Sequence, residues 1–336
     1  MTRVALLGAG NIGHALAALL GSRAELEVTL WSPSVVRARP LRIALLHRAG
    51  VHTVGMVRAE PSLEAATEGA SVVITTVPTH ARAGVLRQAA ARLHGAALVL
   101  AWEGSGWLER ELRDCGIERP VVAGFQRSPF FARVRERWKT VDFLGARDRS
   151  VAACVDAARK PAAARLLGGL LPFAVTMAPD FRYAALSPSN PLIHPARVFT
   201  ADLGALRGRA APSFYGGWDD AASAVLLQLH REVRAVREAL GLSARYLRTL
   251  ADRRPRPSAQ AVTRELRAMR ALGVIPLPLV RTGGACALDT AHRFLREDID
   301  HGLRRIAALG AQAGVPMPAA GRILHWRDAQ CAASAG

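Results

Sequence analysis

The chain has 336 residues, half of them apolar, and a formal net charge of +18. This length accommodates two domains of ordinary size, and no apolar run is long enough to cross a bilayer, so we expect no membrane association. The charge comes from arginine, with lysine only at Lys139 and Lys160, and the arginines are not interleaved with aromatic residues as in a nucleic-acid-binding surface. We therefore expect small-molecule partners and no nucleic acid.

The first predicted element is a short strand that leads into a glycine-rich turn. The apolar run 4–7 is followed by G-A-G-N-I-G at residues 8–13 and then by an Ala- and Leu-rich segment with helical spacing. The pattern predicts a dinucleotide-binding turn, in which the second glycine lets the backbone approach a pyrophosphate. We expect residues 4–7 to be the first strand of the fold and not part of a signal peptide. The candidate cofactor-binding residues here are Gly8, Gly10, Asn11, Ile12 and Gly13.

Residues 27–31 form a second predicted strand, and the residues after it bear on the choice of cofactor. A carboxylate at this place binds the ribose hydroxyls of NAD, whereas basic residues suit the additional phosphate of NADP. The segment contains Ser32, Arg37 and Arg39 and no carboxylate, which favours NADP(H) over NAD(H). The alternative is that the two arginines only solvate a loop.

Further strands alternate with segments of helical periodicity along the first half of the chain. The predicted strands are 69–78, 96–101, 121–125, 143–147 and 173–177, and helices are predicted near 79–93 and 150–167. Such alternation indicates a doubly wound parallel sheet, whose ligands collect at the carboxyl ends of the strands. Val77 and Pro78, at one such end, are therefore candidate cofactor contacts. The segments 102–106 and 126–133 follow two other strand ends and are also expected to face the cofactor.

The character of the sequence changes after Ala178, where long helical patterns cover 219–240, 258–272 and 292–314. We predict an α/β chain with two domains. A Rossmann dinucleotide-binding domain occupies residues 1–178, and a mainly α-helical substrate and catalytic domain occupies residues 179–330. The four scattered cysteines form no C-x-x-C pair, which favours a reducing, cytoplasmic location and argues against a metal site. The sequence leaves open whether the chain forms a homodimer.

Three motifs in the helical part contain side chains suited to chemistry. Residues 190–195 read N-P-L-I-H-P, residues 214–220 read F-Y-G-G-W-D-D, and residues 293–303 read R-F-L-R-E-D-I-D-H-G-L. Asn190 and His194 are four residues apart and share a helix face. Reduction of an imine or ketone needs a proton donor, which an imidazolium held by a carboxylate supplies. Arginine provides the planar, bidentate partner that a substrate carboxylate requires.

Together with the glycine-rich turn, and in this order, these motifs resemble those of the opine dehydrogenases of the octopine/nopaline type. That family includes opine-metallophore synthases of the staphylopine and pseudopaline dehydrogenase kind. The resemblance covers most of the chain and implies an NAD(P)-dependent oxidoreductase acting on CH–NH bonds. Its expected reaction is reductive amination, in which an α-keto acid such as pyruvate condenses with the amino group of an amino acid or an amino-acid-derived metallophore intermediate.

The resemblance also implies roles for individual residues. His194 and Asp298 correspond to the family's proton-transfer pair, and Arg293 corresponds to its clamp for a substrate carboxylate. The other candidate substrate contacts are Asn190, Tyr215 and Trp218.

Two other interpretations remain open. A two-domain dehydrogenase of the glycerol-3-phosphate or ketopantoate type, or another acting on a 2-keto or 2-hydroxy acid, is the nearest enzymatic alternative. The first two types use a catalytic lysine, and Lys139 and Lys160 lie in no matching motif. A non-catalytic dinucleotide sensor would bind the cofactor without turning over any pair of keto acid and amine.

Overall fold

The computed structural model of the protein describes residues 1–47, 50–206, 210–253, 257–269, 272–282 and 285–335. Contacts between residues divide the chain into two compact units, Met1–Ala185 and Leu186–Gly336. Within the described ranges, no helix combines the length and apolar character needed to cross a membrane.

The first unit is built around a mixed sheet of 11 strands. The strands are β1 (Thr2–Leu7), β2 (Leu26–Trp31), β3 (Arg39–His47), β4 (Gly50–Glu60), β5 (Val72–Thr75), β6 (Leu98–Ala101), β7 (Val121–Phe125), β8 (Phe130–Glu136), β9 (Thr140–Ala146), β10 (Ser150–Cys154) and β11 (Val175–Met177). Their order is β11-β10-β7-β6-β5-β1-β2-β4-β3-β9-β8. The central pairs from β4 to β7 are all parallel, as a doubly wound fold requires.

The helices of the first unit lie between these strands along the chain, except for the last one, which follows β11. They are α1 (Asn11–Gly21), α2 (Leu63–Thr67), α3 (Thr79–Leu93), α4 (Leu108–Asp114), α5 (Lys160–Leu170) and α6 (Arg182–Ala185). Strands β5 and β6 are buried at every residue, which explains why their sequences are apolar except at Thr75. The parallel register aligns Leu7 with both Trp31 and Thr75. The segments that follow β1, β2 and β5 therefore leave the sheet at the same edge.

Residues 150–154 differ from the sequence prediction, which included them in a helix. They form β10, antiparallel to β7 and parallel to β11. The alanines of this run have high helix propensity, but all five residues are buried between two neighbouring strands. Tertiary burial therefore overrides local propensity here. The helix itself begins later, at Lys160.

The antiparallel pair of β3 and β4 was not predicted from the sequence. In β3 the buried residues Leu41, Ile43 and Leu45 alternate with more exposed ones, as in a strand covered on one face. Arg39, which was expected in a loop after β2, is the first residue of β3. A second unpredicted strand, β8, pairs with β9 at the edge of the sheet.

The second unit is mainly helical. Its helices in the described ranges are α7 (Asn190–Phe199), α8 (Asp220–Ala239), α9 (Leu250–Arg253), α10 (Ala259–Arg267), α11 (Arg293–Arg296), α12 (Arg304–Gln312) and α13 (Pro318–Ala335), and β12 (Leu279–Thr282) pairs with β13 (Ala285–Leu288). The predicted fold class, a Rossmann sheet followed by a helical domain, is confirmed.

The segment 292–314, predicted as one helix, is interrupted. Between α11 and α12 the chain forms a π-helical turn over Asp298–Leu303, in which the N–H of Gly302 donates to the carbonyl of Glu297, five residues earlier. Such turns insert one residue into a helix and are frequent at functional sites. This turn contains Asp298, one of the two residues expected to transfer protons.

Candidate active site

The glycine-rich turn of the first unit has the geometry that its sequence predicts. Gly8 has a φ of +115°, in the region that L side chains rarely adopt. A Cβ on Gly13 would overlap the carbonyl oxygen of Gly8, so only glycine lets α1 pack this closely against the turn. A Cβ on Gly10, in contrast, would meet no protein atom within 4 Å. The space beside Gly10 is therefore open to a ligand.

The N-terminus of α1 fits the pyrophosphate of a dinucleotide. Gly10 is the N-cap residue of α1. The first turn of α1 contains no acidic side chain, and no side chain forms a capping hydrogen bond with the helix. The first N–H groups of a helix have no acceptor within the helix and attract anions. Asn11, Ile12 and Gly13 supply these groups, while the side-chain carbonyl of Asn11 accepts the N–H of Val134 from β8.

Val77, another predicted cofactor residue, lies directly beside this turn, and Pro78 follows it as the N-cap residue of α3. The N–H of Thr76 donates to the carbonyl of Leu7, and its hydroxyl donates to the carbonyl of Gly8 at 3.0 Å. The backbone nitrogen of Val77 lies 3.0 Å from the position that a Cβ of Gly8 would occupy. The chain after β5 therefore forms one wall of the turn.

The residues after β2 lie at the same sheet edge. Ser32 is buried, and its hydroxyl lies 2.9 Å from that of Ser34. Arg37 is exposed, whereas Arg39 is partly buried and its guanidinium carbon lies 5.9 Å from the centre of the Trp138 indole. Sequence reasoning missed a nearby carboxylate: Glu60 ends β4, aligned with Trp31, and pairs with Arg58.

A buried arginine fixes the segment after β6, which was expected to face the cofactor. Arg82 on α3 is only 2% exposed and forms a bidentate ion pair with Glu111 on α4. Its remaining N–H groups donate to the carbonyls of Glu103 and Ser105. This network positions the backbone of the segment, and the sequence contained no signal for it because its members come from three separate elements.

In the second unit, the structure brings His194 and Asp298 together. Nδ1 of His194, on α7, lies 2.6 Å from Oδ2 of Asp298, in the π-helical turn, and both side chains are buried. The opposite ring nitrogen, Nε2, lies 3.5 Å from the hydroxyl oxygen of Tyr215. Nε2 is therefore the nitrogen that can exchange a proton with another group.

Aromatic side chains surround the imidazole. Phe294 stacks on His194 with ring centres 3.8 Å apart, and Phe214 meets it edge-on. Trp218 is fully buried and donates its indole N–H to the hydroxyl of Ser223. Trp218 stacks on Tyr215, so it supports the tyrosine that lies beside Nε2 of His194.

The pKa values of the pair are shifted by burial in opposite directions. Burial lowers the pKa of His194 well below its usual value and raises the pKa of Asp298 to about 7, because each loses hydration of its charged form. The positive charge of Arg293 lowers both pKa values to a smaller extent. The guanidinium therefore acts electrostatically on the pair.

When the pair holds one titratable proton, Nε2 of His194 carries an N–H in either arrangement. The proton on the Asp298 side can lie on Nδ1, which gives an imidazolium and a carboxylate, or on Oδ2, which gives a neutral imidazole protonated at Nε2. Burial favours the second arrangement because it separates no charge. The pair can act as an acid through Nε2 in both.

Close packing between two motifs fixes the geometry of this pair. A Cβ on Gly302 would lie 2.7 Å from Cγ of Pro191, so the π-helical turn approaches the start of α7 at a distance that only glycine permits. Arg327 on α13 anchors the same turn through two hydrogen bonds to Asp300, at 3.0 and 2.8 Å. The motif residues Pro191 and Gly302 thus act through packing.

The remaining predicted substrate residues lie at the ends of these elements. Asn190 is the first residue of α7, and Arg293 is the exposed first residue of α11. Arg197 on α7 holds the segment that carries Tyr215 and Trp218, by donating to Asp219 and to the carbonyl of Gly217.

A glycine-rich dinucleotide turn on a Rossmann sheet and a buried His–Asp pair in a helical unit define a two-domain NAD(P)-dependent oxidoreductase. Residues 177–331 match the family described as NAD/NADP octopine/nopaline dehydrogenase, alpha-helical domain. Residues 3–110 match the N-terminus of NAD-dependent glycerol-3-phosphate dehydrogenase. The helical part of the chain is therefore similar to the opine dehydrogenases, as its motifs indicated.

Relatives match along nearly the whole chain. The octopine dehydrogenase of Pecten maximus is 25% identical, with 96% of this chain and 89% of that protein covered. Vitopine synthase of Allorhizobium ampelinum is 27% identical, with 95% and 88% covered. A solved structure of octopine dehydrogenase with NADH and L-arginine has a TM-score of 0.78 at 22% identity, covering 99% of this chain and 90% of that one, which shows a shared fold.

The two glycines of the turn predict different consequences of one substitution. Gly13→Ala should lower the free energy of unfolding by about 1–3 kcal/mol, because the new methyl group overlaps backbone. Gly10→Ala should change it by less than about 1 kcal/mol, since the space is open, but should weaken NAD(P)H binding. Denaturant unfolding and fluorescence titration measure the two effects. Unchanged cofactor affinity in Gly10→Ala would contradict the assigned pyrophosphate position.

Proposed function

We propose that the protein is an NAD(P)H-dependent opine dehydrogenase that condenses an α-keto acid with the amino group of an amino acid or an amino-acid-derived metallophore intermediate. Reduction of the resulting imine gives a secondary amine with two carboxylates. The buried His194–Asp298 pair, in a helical domain of this family, is the observation that carries the proposal. The names of the relatives, octopine dehydrogenase and vitopine synthase, agree with this reaction class.

The bound nicotinamide supplies the hydride for this reduction. His194 donates the proton from Nε2 to the substrate, and Asp298 controls the proton at Nδ1. Phe294 and Phe214 exclude water from the imidazole, which keeps the proton on the pair until a substrate accepts it. Arg293 holds a carboxylate of the substrate, and Asn190 and Tyr215 are further contacts.

Within this function we assign residues 1–178 to cofactor binding and residues 179–330 to the substrate and proton transfer. Ser32, Arg37 and Arg39 favour NADP(H) over NAD(H), since the segment after β2 offers basic and hydroxyl groups. A cytoplasmic setting agrees with four free cysteines, because reducing compartments keep thiols reduced. Either a monomer or a homodimer is compatible with these assignments.

The direct test combines α-keto acids with amino acids in a matrix and follows the oxidation of NADPH and NADH. Products identified by mass should be secondary amines in which one keto acid and one amine are joined with loss of water and gain of two hydrogens. Turnover of a keto acid without an amine would instead support a 2-hydroxy-acid dehydrogenase. Cofactor binding without turnover of any pair would support the non-catalytic sensor.

Removal of either member of the pair should abolish most of the turnover. His194→Ala should lower kcat by about 100-fold or more, the usual scale for a lost general acid. Asp298→Asn should give a similar loss, because an amide cannot take or return the proton at Nδ1. Affinity for NADPH, measured by fluorescence titration, should stay unchanged in both variants. A fully active His194→Ala enzyme would rule out this mechanism.

The proton-loaded pair is the acid, so activity in the reductive direction should depend on its titration. The pKa of Asp298, raised to about 7 by burial, places loss of the proton near neutral pH. The titration of the pair should leave kcat/KM constant at low pH. Above about pH 7 it should lower kcat/KM by about tenfold per pH unit. Asp298→Asn should remove or shift this step while leaving the titration of the amine substrate in place. Identical profiles for both proteins would refute the assignment.

Arg293 offers a separate test of substrate anchoring. A guanidinium holds a carboxylate by two parallel hydrogen bonds, whereas lysine presents a point charge. Arg293→Lys should therefore raise the KM of one substrate, and we expect this substrate to be the keto acid. The loss should correspond to about 2–4 kcal/mol in Arg293→Ala. The KM for NADPH should not change. If neither substrate's KM responds, Arg293 acts only on the surface of its own helix.

A further inference from the structure

The tip of the β8–β9 hairpin has an unusual backbone conformation. Trp138 has a φ of +68°, which makes it the non-glycine residue with positive φ in the part of the chain that the structure describes. This conformation is rare for a bulky side chain and indicates that surrounding contacts hold it in place. One such contact is a hydrogen bond from the Trp138 N–H to Nε2 of His14, at 3.0 Å.

His14 connects this hairpin to the dinucleotide turn. It lies on α1 and is fully buried, and burial lowers its pKa, so the imidazole is neutral. Because Nε2 accepts from Trp138, Nδ1 carries the hydrogen and donates to the carbonyl of Gly10, at 3.0 Å. The N-cap residue of α1 and the hairpin tip are therefore held by the same ring.

The hairpin tip carries Arg137 toward the residues that follow β2. Its guanidinium donates a hydrogen bond to the hydroxyl of Ser34, which in turn contacts the hydroxyl of Ser32. The guanidinium carbon lies 5.0 Å from the centre of the Trp138 indole, and that of Arg39 lies 5.9 Å from the same centre. A cation from the hairpin turn and a cation from β3 thus lie near one aromatic ring, beside two serines.

These two arginines differ in their partners from the other basic residues of the hairpin. Arg135, on the same hairpin, pairs with Asp142 at 2.7 Å, and Lys139 pairs with Glu136. In the described ranges of the chain, neither Arg137 nor Arg39 forms an ion pair with a carboxylate. Two such cations close to the segment after β2, where a Rossmann fold binds the adenosine ribose, favour an anionic substituent on that ribose.

We propose that Arg137 and Arg39 together bind the 2′-phosphate of NADP(H), with Arg137 as the specificity-determining residue supplied by the β8–β9 hairpin. The phosphate replaces the neutral Ser34 hydroxyl as the acceptor for Arg137, which converts a neutral-acceptor hydrogen bond into a charge-assisted one. The Trp138 indole keeps both guanidinium groups in position. This inference deepens, and rests on, the proposed preference for NADP(H).

Arg137→Ser tests the assignment, with Arg135→Ser as the matched control because it removes the same charge from the same hairpin. The probes are NADPH, NADH, 2′,5′-ADP and 5′-AMP, titrated against the full chain by calorimetry or fluorescence. Arg137→Ser should raise the Kd of NADPH and 2′,5′-ADP by about 10-fold to 100-fold, the scale for a lost charge-assisted hydrogen bond. The Kd of NADH and 5′-AMP should stay within about twofold, and Arg135→Ser should leave all four within that range.

The outcomes separate the possible failures. Equal losses for phosphorylated and unphosphorylated probes in Arg137→Ser would show a structural role and overturn the proposal, as would equal effects of Arg137→Ser and Arg135→Ser. If the unaltered protein binds 5′-AMP as tightly as 2′,5′-ADP, the NADP(H) preference fails and the proposal with it. These binding measurements need no turnover. The opine dehydrogenase reaction can therefore fail in the substrate matrix while the 2′-phosphate site stands, and the reverse also holds.

Discussion

The hydrogen bond between Nδ1 of His194 and Oδ2 of Asp298 is the contact on which the second unit depends. Burying an imidazole and a carboxyl group removes water from both, and a single buried proton between them limits that loss. The bond also joins α7 to the π-helical turn, which are separated by about a hundred residues of chain. Much of the surrounding packing holds these two segments at hydrogen-bonding distance.

That packing explains why motif residues without reactive groups accompany the pair. Pro191 and Gly302 permit a close approach of the two segments, and Arg327 secures the turn from α13 through Asp300. Phe294 covers one face of the imidazole. A proton-donating site that must keep its proton away from water needs these enclosing side chains as well as the acidic group.

In the first unit, close packing likewise fixes the geometry of a site, but this site is the open space beside Gly10. Gly8 and Gly13 are required by backbone conformation and by close packing, while Gly10 leaves room at the positive end of α1. The neutral ring of His14 then carries this geometry outward to Trp138. The geometry of the glycine-rich turn is therefore linked to elements far apart in sequence.

Local pattern was sufficient for much of this fold but not for all of it. The strands of the central parallel sheet and the long helix α8 are predictable because each has its own apolar period, and the motifs located His194 and Asp298. The alanine-rich β10 was not predictable, since burial between two strands decides its conformation. Arg82 and Arg137 were also missed, because their roles arise from contacts with carbonyls or hydroxyls of distant segments.

The π-helical turn over Asp298–Leu303 makes the position of Asp298 sensitive to the length of the chain at this point. An α-helix turns by about 100° per residue. The extra residue in the turn therefore rotates the side chains of α11 about the helix axis relative to those of α12. A deletion of one residue after Asp298 in the turn would restore a regular helix and rotate Asp298 by about 100° away from His194. The number of residues in this turn therefore determines the direction in which the Asp298 side chain points.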